Sequence, residues 1–194
     1  MPDPLVAVLA AGRASRFGGG KLDADLAGKP VGRWVLEAVR NAGLAPGVIV
    51  TGPDTPRFAE EAGWQSVVND RPEQGLGSSL ALAAGQASGG LLVLLADMPL
   101  VMPSHIAALA AAPSATLWPG DKPGVPAHFS ATDLPLLRSI TGDRGAGALL
   151  AAMPELRLVE APSEMLFDID RPEDLVRAEE LLRSKRPAAE GHWL

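Results

Sequence analysis

The chain has 194 residues, a formal net charge of −6 and no cysteine. This length suits one α/β domain with a sizeable core, and the missing cysteines exclude a disulfide framework, a thiolate nucleophile and thiolate metal ligands. The acidic balance argues against a nucleic-acid partner, which requires a concentrated basic footprint.

The N-terminus MPDPLVAVLAAG lacks the basic start and long apolar core of a secretory signal. No stretch is long enough to span a bilayer, so the expected location is cytoplasmic, with no membrane partner. Leu5 to Leu9 reads as a buried strand that runs straight into LAAGRASRFGGGK, Leu9 to Lys21. Glycines there allow positive-φ backbone that aims successive N–H groups at one anion, and Arg16 and Lys21 can neutralise its charge. Two familiar phosphate loops do not fit. Leu22 follows Gly20-Lys21 where the Walker pattern needs Ser or Thr, and Ala14 stands where the dinucleotide fingerprint needs its second glycine. The alternative is a solvated basic turn.

Downstream, Pro30 can open a helix with Val31, Trp34, Val35, Ala38 and Val39 at helical spacing, stopped by Gly43. Val48 to Thr51 and Ser66 to Val68 are short strands separated by a short helix at Pro56 to Ala62, and Leu76 to Ala87 is a small-residue helix. Leu91 to Leu95 is the most continuous aliphatic run and suits a central parallel strand. Further on, the pattern predicts a helix from Pro103 to Ala111, strands near Thr116 to Trp118 and Ala127 to Phe129, and helices near Leu134 to Ile140 and Ala146 to Ala152. Leu156 to Glu160 and Met165 to Ile169 read as strands, and Pro172 to Leu182 as a closing helix with an acidic first turn. The alternation predicts a parallel sheet covered by helices. In such sheets ligands sit beyond the carboxyl ends of the strands, where the Gly12 loop, Asn69-Asp70 and Asp97 all fall.

Asp97 ends an aliphatic strand, so its carboxylate is expected at the sheet rim. Magnesium is its natural partner, because Mg2+ takes one or two carboxylates together with substrate phosphate oxygens; the alternative is a cap on the next helix. Asp168 and Asp170 flank Ile169, and in an extended segment they project to opposite faces, so one of them reaches a shared metal while the other points away. Capping of the following helix is the competing role for Asp170. Asn69, Gly75, Ser78 and Ser79 offer neutral hydrogen-bonding groups beside a glycine, the chemistry a base and ribose need, or a capped turn. Arg144 in GDRGAG and His128 in VPAHF are candidates for an acceptor site, against a solvated arginine and a structural histidine.

Read in order, the loop at Leu9 to Lys21, NDRPEQGLGSSL at Asn69 to Leu80, LLVLLADMPLV at Leu91 to Val101 and FDIDRPEDL at Phe167 to Leu175 resemble the nucleotidyltransferases of molybdenum cofactor maturation, most closely the cytidylyltransferases. GVPAHF departs from the glycine-histidine-proline arrangement of that family. The resemblance implies a three-layer α/β/α, Rossmann-like, mostly parallel sheet of the nucleotide-diphospho-sugar transferase type, with one domain over 1–184 and a tail at 185–194. It implies nucleotide binding by Leu9, Ala10, Ala11, Gly12, Arg16, Gly18, Lys21, Asn69, Gly75, Ser78 and Ser79. The catalytic groups would be Arg16, Lys21 and Asp97, with Mg2+ on Asp97 and Asp170 and Asp168 a further candidate. The implied reaction moves CMP from CTP to the terminal phosphate of the pterin cofactor. Ala10-Ala11-Gly12 matches the form that accompanies CTP rather than GTP, and a recipient molybdoenzyme is the implied partner. GTP as donor, a sugar or polyol phosphate as acceptor, and a cofactor-carrying accessory protein remain the alternatives.

Overall fold

A computed structural model describes residues 3–12, 16–140, 146–153 and 156–185. Seven strands form one sheet: β1 (Leu5–Ala10), β4 (Val48–Thr51), β5 (Gln65–Val68), β6 (Leu91–Leu95), β7 (Ser114–Trp118), β8 (Lys122–Phe129) and β9 (Arg157–Val159). Their order is β5-β4-β1-β6-β8-β7-β9. β8 alone is antiparallel to its two neighbours, while β1 pairs in parallel with both β4 and β6. Two short strands, β2 (Asp25–Leu26) and β3 (Lys29–Pro30), make a separate hairpin after the glycine loop.

Alternation along β1 and β6 sorts the core into two halves. Val6, Val8, Ala10, Leu92 and Leu94 face one cluster, closed by α1 (Val31–Asn41), α3 (Pro103–Ala110) and α6 (Pro172–Lys185). Ala7, Leu9, Leu91 and Val93 face the other, closed by α2 (Leu76–Gln86), α4 (Leu134–Arg138) and α5 (Ala146–Ala151). With both faces covered, the central strands are aliphatic throughout, as a doubly covered sheet requires. The expected three-layer, mostly parallel architecture is the observed one.

Several expected elements differ. Met165 to Ile169 is not a strand: Ser163–Leu166 forms a 3-10 turn, and Phe167 to Asp170 runs extended without a strand partner, tied by Ile169 N–H to the Asp97 carbonyl at 2.9 Å. β8 begins five residues earlier than the expected Ala127, through Pro123, Gly124 and Pro126. Pairing with β7 absorbs this by a register shift between Ala115 and Thr116, because proline has no ladder donor. Pro56 to Ala62 contains only a 3-10 turn at Arg57–Glu60. α6 runs through Lys185, the first residue assigned to the tail, and residues 186–194 lie outside the described part of the chain.

Candidate active site

β1, β4 and β6 run in parallel, so their carboxyl ends open on one side of the sheet. A cleft of about 310 Å³ lies there, walled by Leu9 to Gly12 at the end of β1, Lys21 and Leu22, Pro72, Glu73, Gly75, Leu76 and Ser79 leading into α2, and Leu95 with Asp97 at the end of β6. Ala96 N–H donates to the Leu9 carbonyl at 3.0 Å, which locks the two strand exits together. Gly18, Gly19 and Gly20 all have positive φ, +87°, +100° and +64°. That run turns the chain back so that Lys21 re-enters the core, 8% exposed.

Lys21 meets the acidic residues there. Its Nζ lies 2.8 Å from Asp97 Oδ2 and 3.7 Å from Asp170 Oδ1, while Arg16 NH1 lies 3.1 Å from Asp170 Oδ2. Four expected residues that are distant in sequence thus form one charge cluster at the cleft floor and rim. Asp170 reaches it because Asp174 takes over the helix start: the Asp174 carboxylate accepts the N–H groups of Asp170 and Arg171 at 2.8 and 2.7 Å. Asp168 sits next to this cluster, and burial, then the negative charge of Asp97, raises its pKa above the ordinary 3.8. The two carboxylates that share Lys21 suit a divalent ion of the magnesium type, which completes its shell with phosphate oxygens and water.

Asn69 and Ser78 hold the cleft from behind rather than lining it. Asn69 is 2% exposed, its Nδ2 donates to Ser78 Oγ at 2.8 Å and Ser79 Oγ at 3.0 Å, and its Oδ1 accepts the Arg71 N–H at 2.9 Å. Ser78 Oγ in turn donates to the Gly75 carbonyl at 2.9 Å. Both ends of the Asn69 amide are therefore committed to fixing the Arg71–Gly75 loop against α2; Gly75 and Ser79 face the cleft.

His128 is not brought to this cleft. It pairs across from Leu92 at the opening end of β6, and its Nδ1 donates to the Leu109 carbonyl at 3.0 Å. Because β8 runs against β6, a residue late in β8 falls at the opposite end of the sheet from Asp97. That placement corrects the expectation of acceptor contact and matches the structural-histidine alternative. Arg144 lies outside the described residues.

Sequence reasoning missed Leu22, Pro72, Glu73, Leu76 and Leu95 as cleft walls. It also missed Asp23, whose carboxylate accepts the N–H groups of Arg57 and Phe58 at 2.8 and 2.9 Å and so ties the end of the glycine loop to the segment after β4. Apolar wall residues carry no chemical signature, whereas an Asp two positions after the loop lysine was a visible, if ambiguous, signal.

The glycine loop, the buried lysine between two aspartates and the cleft meet at one sheet exit, and the family match and similar structures make the protein that carries them a nucleotidyltransferase. The chain belongs to the MobA-like NTP transferase domain family, which matches residues 6–158. It is 36% identical over 167 residues to a phosphoenolpyruvate guanylyltransferase of Rubrobacter xylanophilus, covering 76% of this chain and 77% of that one. It is 30% identical over 193 residues to the purine catabolism protein PucB of Bacillus subtilis, covering 87% and 93%. A probable molybdenum cofactor guanylyltransferase of Thermococcus gammatolerans is 34% identical over 104 residues, about half of each chain (52% and 51%). Among solved structures, a nucleotidyl transferase from Methanothermobacter superposes with a TM-score of 0.77 at 27% identity, covering 95% of this chain and 100% of that one. Rv0371c of Mycobacterium tuberculosis in complex with manganese gives 0.70 at 25% identity, covering 92% and 98%.

Proposed function

We propose that this nucleotidyltransferase moves CMP from CTP to the terminal phosphate of the molybdenum pterin cofactor and releases pyrophosphate, with Mg2+ held by Asp97 and Asp170. The observation that carries the reading is the cluster of Arg16, Lys21, Asp97 and Asp170 at the mouth of the cleft. It supplies cations for a triphosphate and carboxylates for its metal. Asp97 and Asp170 would hold the Mg2+, which would supply positive charge to offset the charge that develops on the phosphates during transfer.

The chain's own work is placement and charge. Arg16 and Lys21 bind the β- and γ-phosphates, exposed backbone at Gly12 receives the phosphate turn, and Gly75 with Ser79 borders the sugar and base. An acceptor phosphate oxygen attacks the α-phosphorus in line, and the α–β bridging oxygen leaves with pyrophosphate, so no side-chain nucleophile is required. Molybdenum cofactor as the acceptor is supported by the four sequence segments and by the Thermococcus relative. CTP is supported by the Ala10-Ala11-Gly12 form of the loop, whose Ala11 is buried in the cleft wall.

A second reading, GMP transfer from GTP, is favoured by the Rubrobacter and Thermococcus relatives, both named guanylyltransferases. Purified protein with Mg2+, molybdenum cofactor and each NTP in turn, followed by pyrophosphate release, separates the two. Release is expected with CTP and should fall on the order of a hundredfold or more in Asp97→Asn, the scale for losing one preorganised electrostatic partner. Release only with GTP overturns the cytidylyl assignment, and cofactor binding without release under any NTP overturns the transfer.

A further inference from the structure

We propose that Lys21 is a built-in counter-cation that holds the position between Asp97 and Asp170 until a nucleotide arrives, so that the divalent ion and the triphosphate bind as a coupled pair. The inference rests on the assignment of these two carboxylates as metal ligands. Each Asp170 oxygen faces a cation, Oδ1 toward Lys21 at 3.7 Å and Oδ2 toward Arg16 at 3.1 Å, while Asp97 Oδ2 lies 2.8 Å from the same Lys21 ammonium. A dication entering between the carboxylates meets a positive charge already in place, and in a partly buried site that repulsion is weakly screened.

Lys21 is also held firmly. At 8% exposure its ammonium has lost most of its hydration, and the two aspartates supply the compensating charge. What can release it is another anion within reach of the same cleft, and a triphosphate is that anion. Once phosphate oxygens take up Lys21 and Arg16, Asp97 and Asp170 turn from ion-pair partners into free ligands for the ion that accompanies the nucleotide. By reciprocity, the metal tightens the nucleotide by the same factor by which the nucleotide tightens the metal.

The test titrates Mn2+ into the full-length, nucleotide-free protein by calorimetry. Lys21→Met, which keeps the length and packing of the stem, is expected to bind Mn2+ roughly tenfold tighter than the unaltered protein, within the usual range of coupling between sites. Lys21→Arg, which keeps the charge, stays as weak as the unaltered protein. Lys21→Met should also be less stable without metal and gain more in thermal midpoint from Mn2+. Equal or weaker Mn2+ binding by Lys21→Met, or tight binding by Lys21→Arg, overturns the proposal. Should Lys21→Met not fold, the Lys21 ammonium signal in 15N–1H spectra of the unaltered protein serves. It should persist with Mg2+ alone and change when Mg2+ is joined by a non-hydrolysable triphosphate; loss with Mg2+ alone, or no change in the ternary complex, overturns the idea. These titrations involve neither base choice nor acceptor, so they can fail while the pyrophosphate assay succeeds. Absence of Mn2+ binding in every variant, together with an inactive transfer assay, overturns both readings.

Discussion

Asn69 was singled out as a group able to read a base, yet its amide is spent on Ser78, Ser79 and the Arg71 N–H. Its contribution is to hold the cleft wall in place. Asn69→Ala should cost about 2–3 kcal/mol, because it strands buried partners, and should raise KM for the nucleotide more than it lowers kcat. Urea unfolding with steady-state kinetics checks both. His105 shows a different dependence. It is buried, its Nε2 lies 2.9 Å from Thr116 Oγ1, and burial lowers its pKa from 6.5 against a weaker opposing hydrogen bond to the Glu160 backbone. A base whose folded pKa is depressed contributes its full stability above the unfolded value, and that contribution is lost as pH falls through the folded value. The thermal midpoint should therefore decline below pH 6.5, with a shallower decline in His105→Gln; parallel pH profiles would remove His105 as the cause.

Among the elements, the pairing of β1 with β4 tolerates little at Gly47, just before β4. A Cβ there would overlap the Val6 carbonyl oxygen, a backbone atom that cannot swing aside. Gly47→Ala is expected to cost about 3 kcal/mol, the upper end of overpacking effects, and to widen the separation of β1 and β4; a thermal midpoint within a degree of the unaltered protein would count against this. The elements also show where pattern reading succeeds. β1 and β6 were legible because burial on both faces forces an unbroken aliphatic run. β8 was only partly legible, since Pro123, Gly124 and Pro126 read as a loop until a neighbouring strand fixes their backbone. The segment after Leu166, part of the expected Met165 to Ile169 strand, pairs with no strand among the described residues and is tied instead by Ile169 N–H to the Asp97 carbonyl and by Asp170 N–H to the Asp174 carboxylate.

At the scale of the whole molecule, the cleft spans the exits of β1 and β6 and the loop into α2, so an occupant that bridges them stabilises the fold as a unit. A ligand at a hundred times its Kd adds about 2.7 kcal/mol, which makes the thermal midpoint a ranking of nucleotides. CTP with Mg2+ is expected to raise it most, GTP less, and either nucleotide with EDTA least. A larger rise with GTP would shift the assignment to guanylyl transfer. No helix among the described residues is long and apolar enough to cross a membrane.

The sequence by itself determined the α/β class, the glycine-basic loop after the first strand, and the acidic residues at strand exits. These depend on local pattern: aliphatic runs, glycine at turns and carboxylates at the end of strands. Only the tertiary structure decided which of these groups meet. It brought Lys21 between Asp97 and Asp170, residues separated by 76 and 149 positions, and set Arg16 beside Asp170. It also turned Asn69 inward and carried His128 to the far end of the sheet. Those outcomes follow from strand direction and register, which the pairing of distant segments fixes and no local pattern encodes.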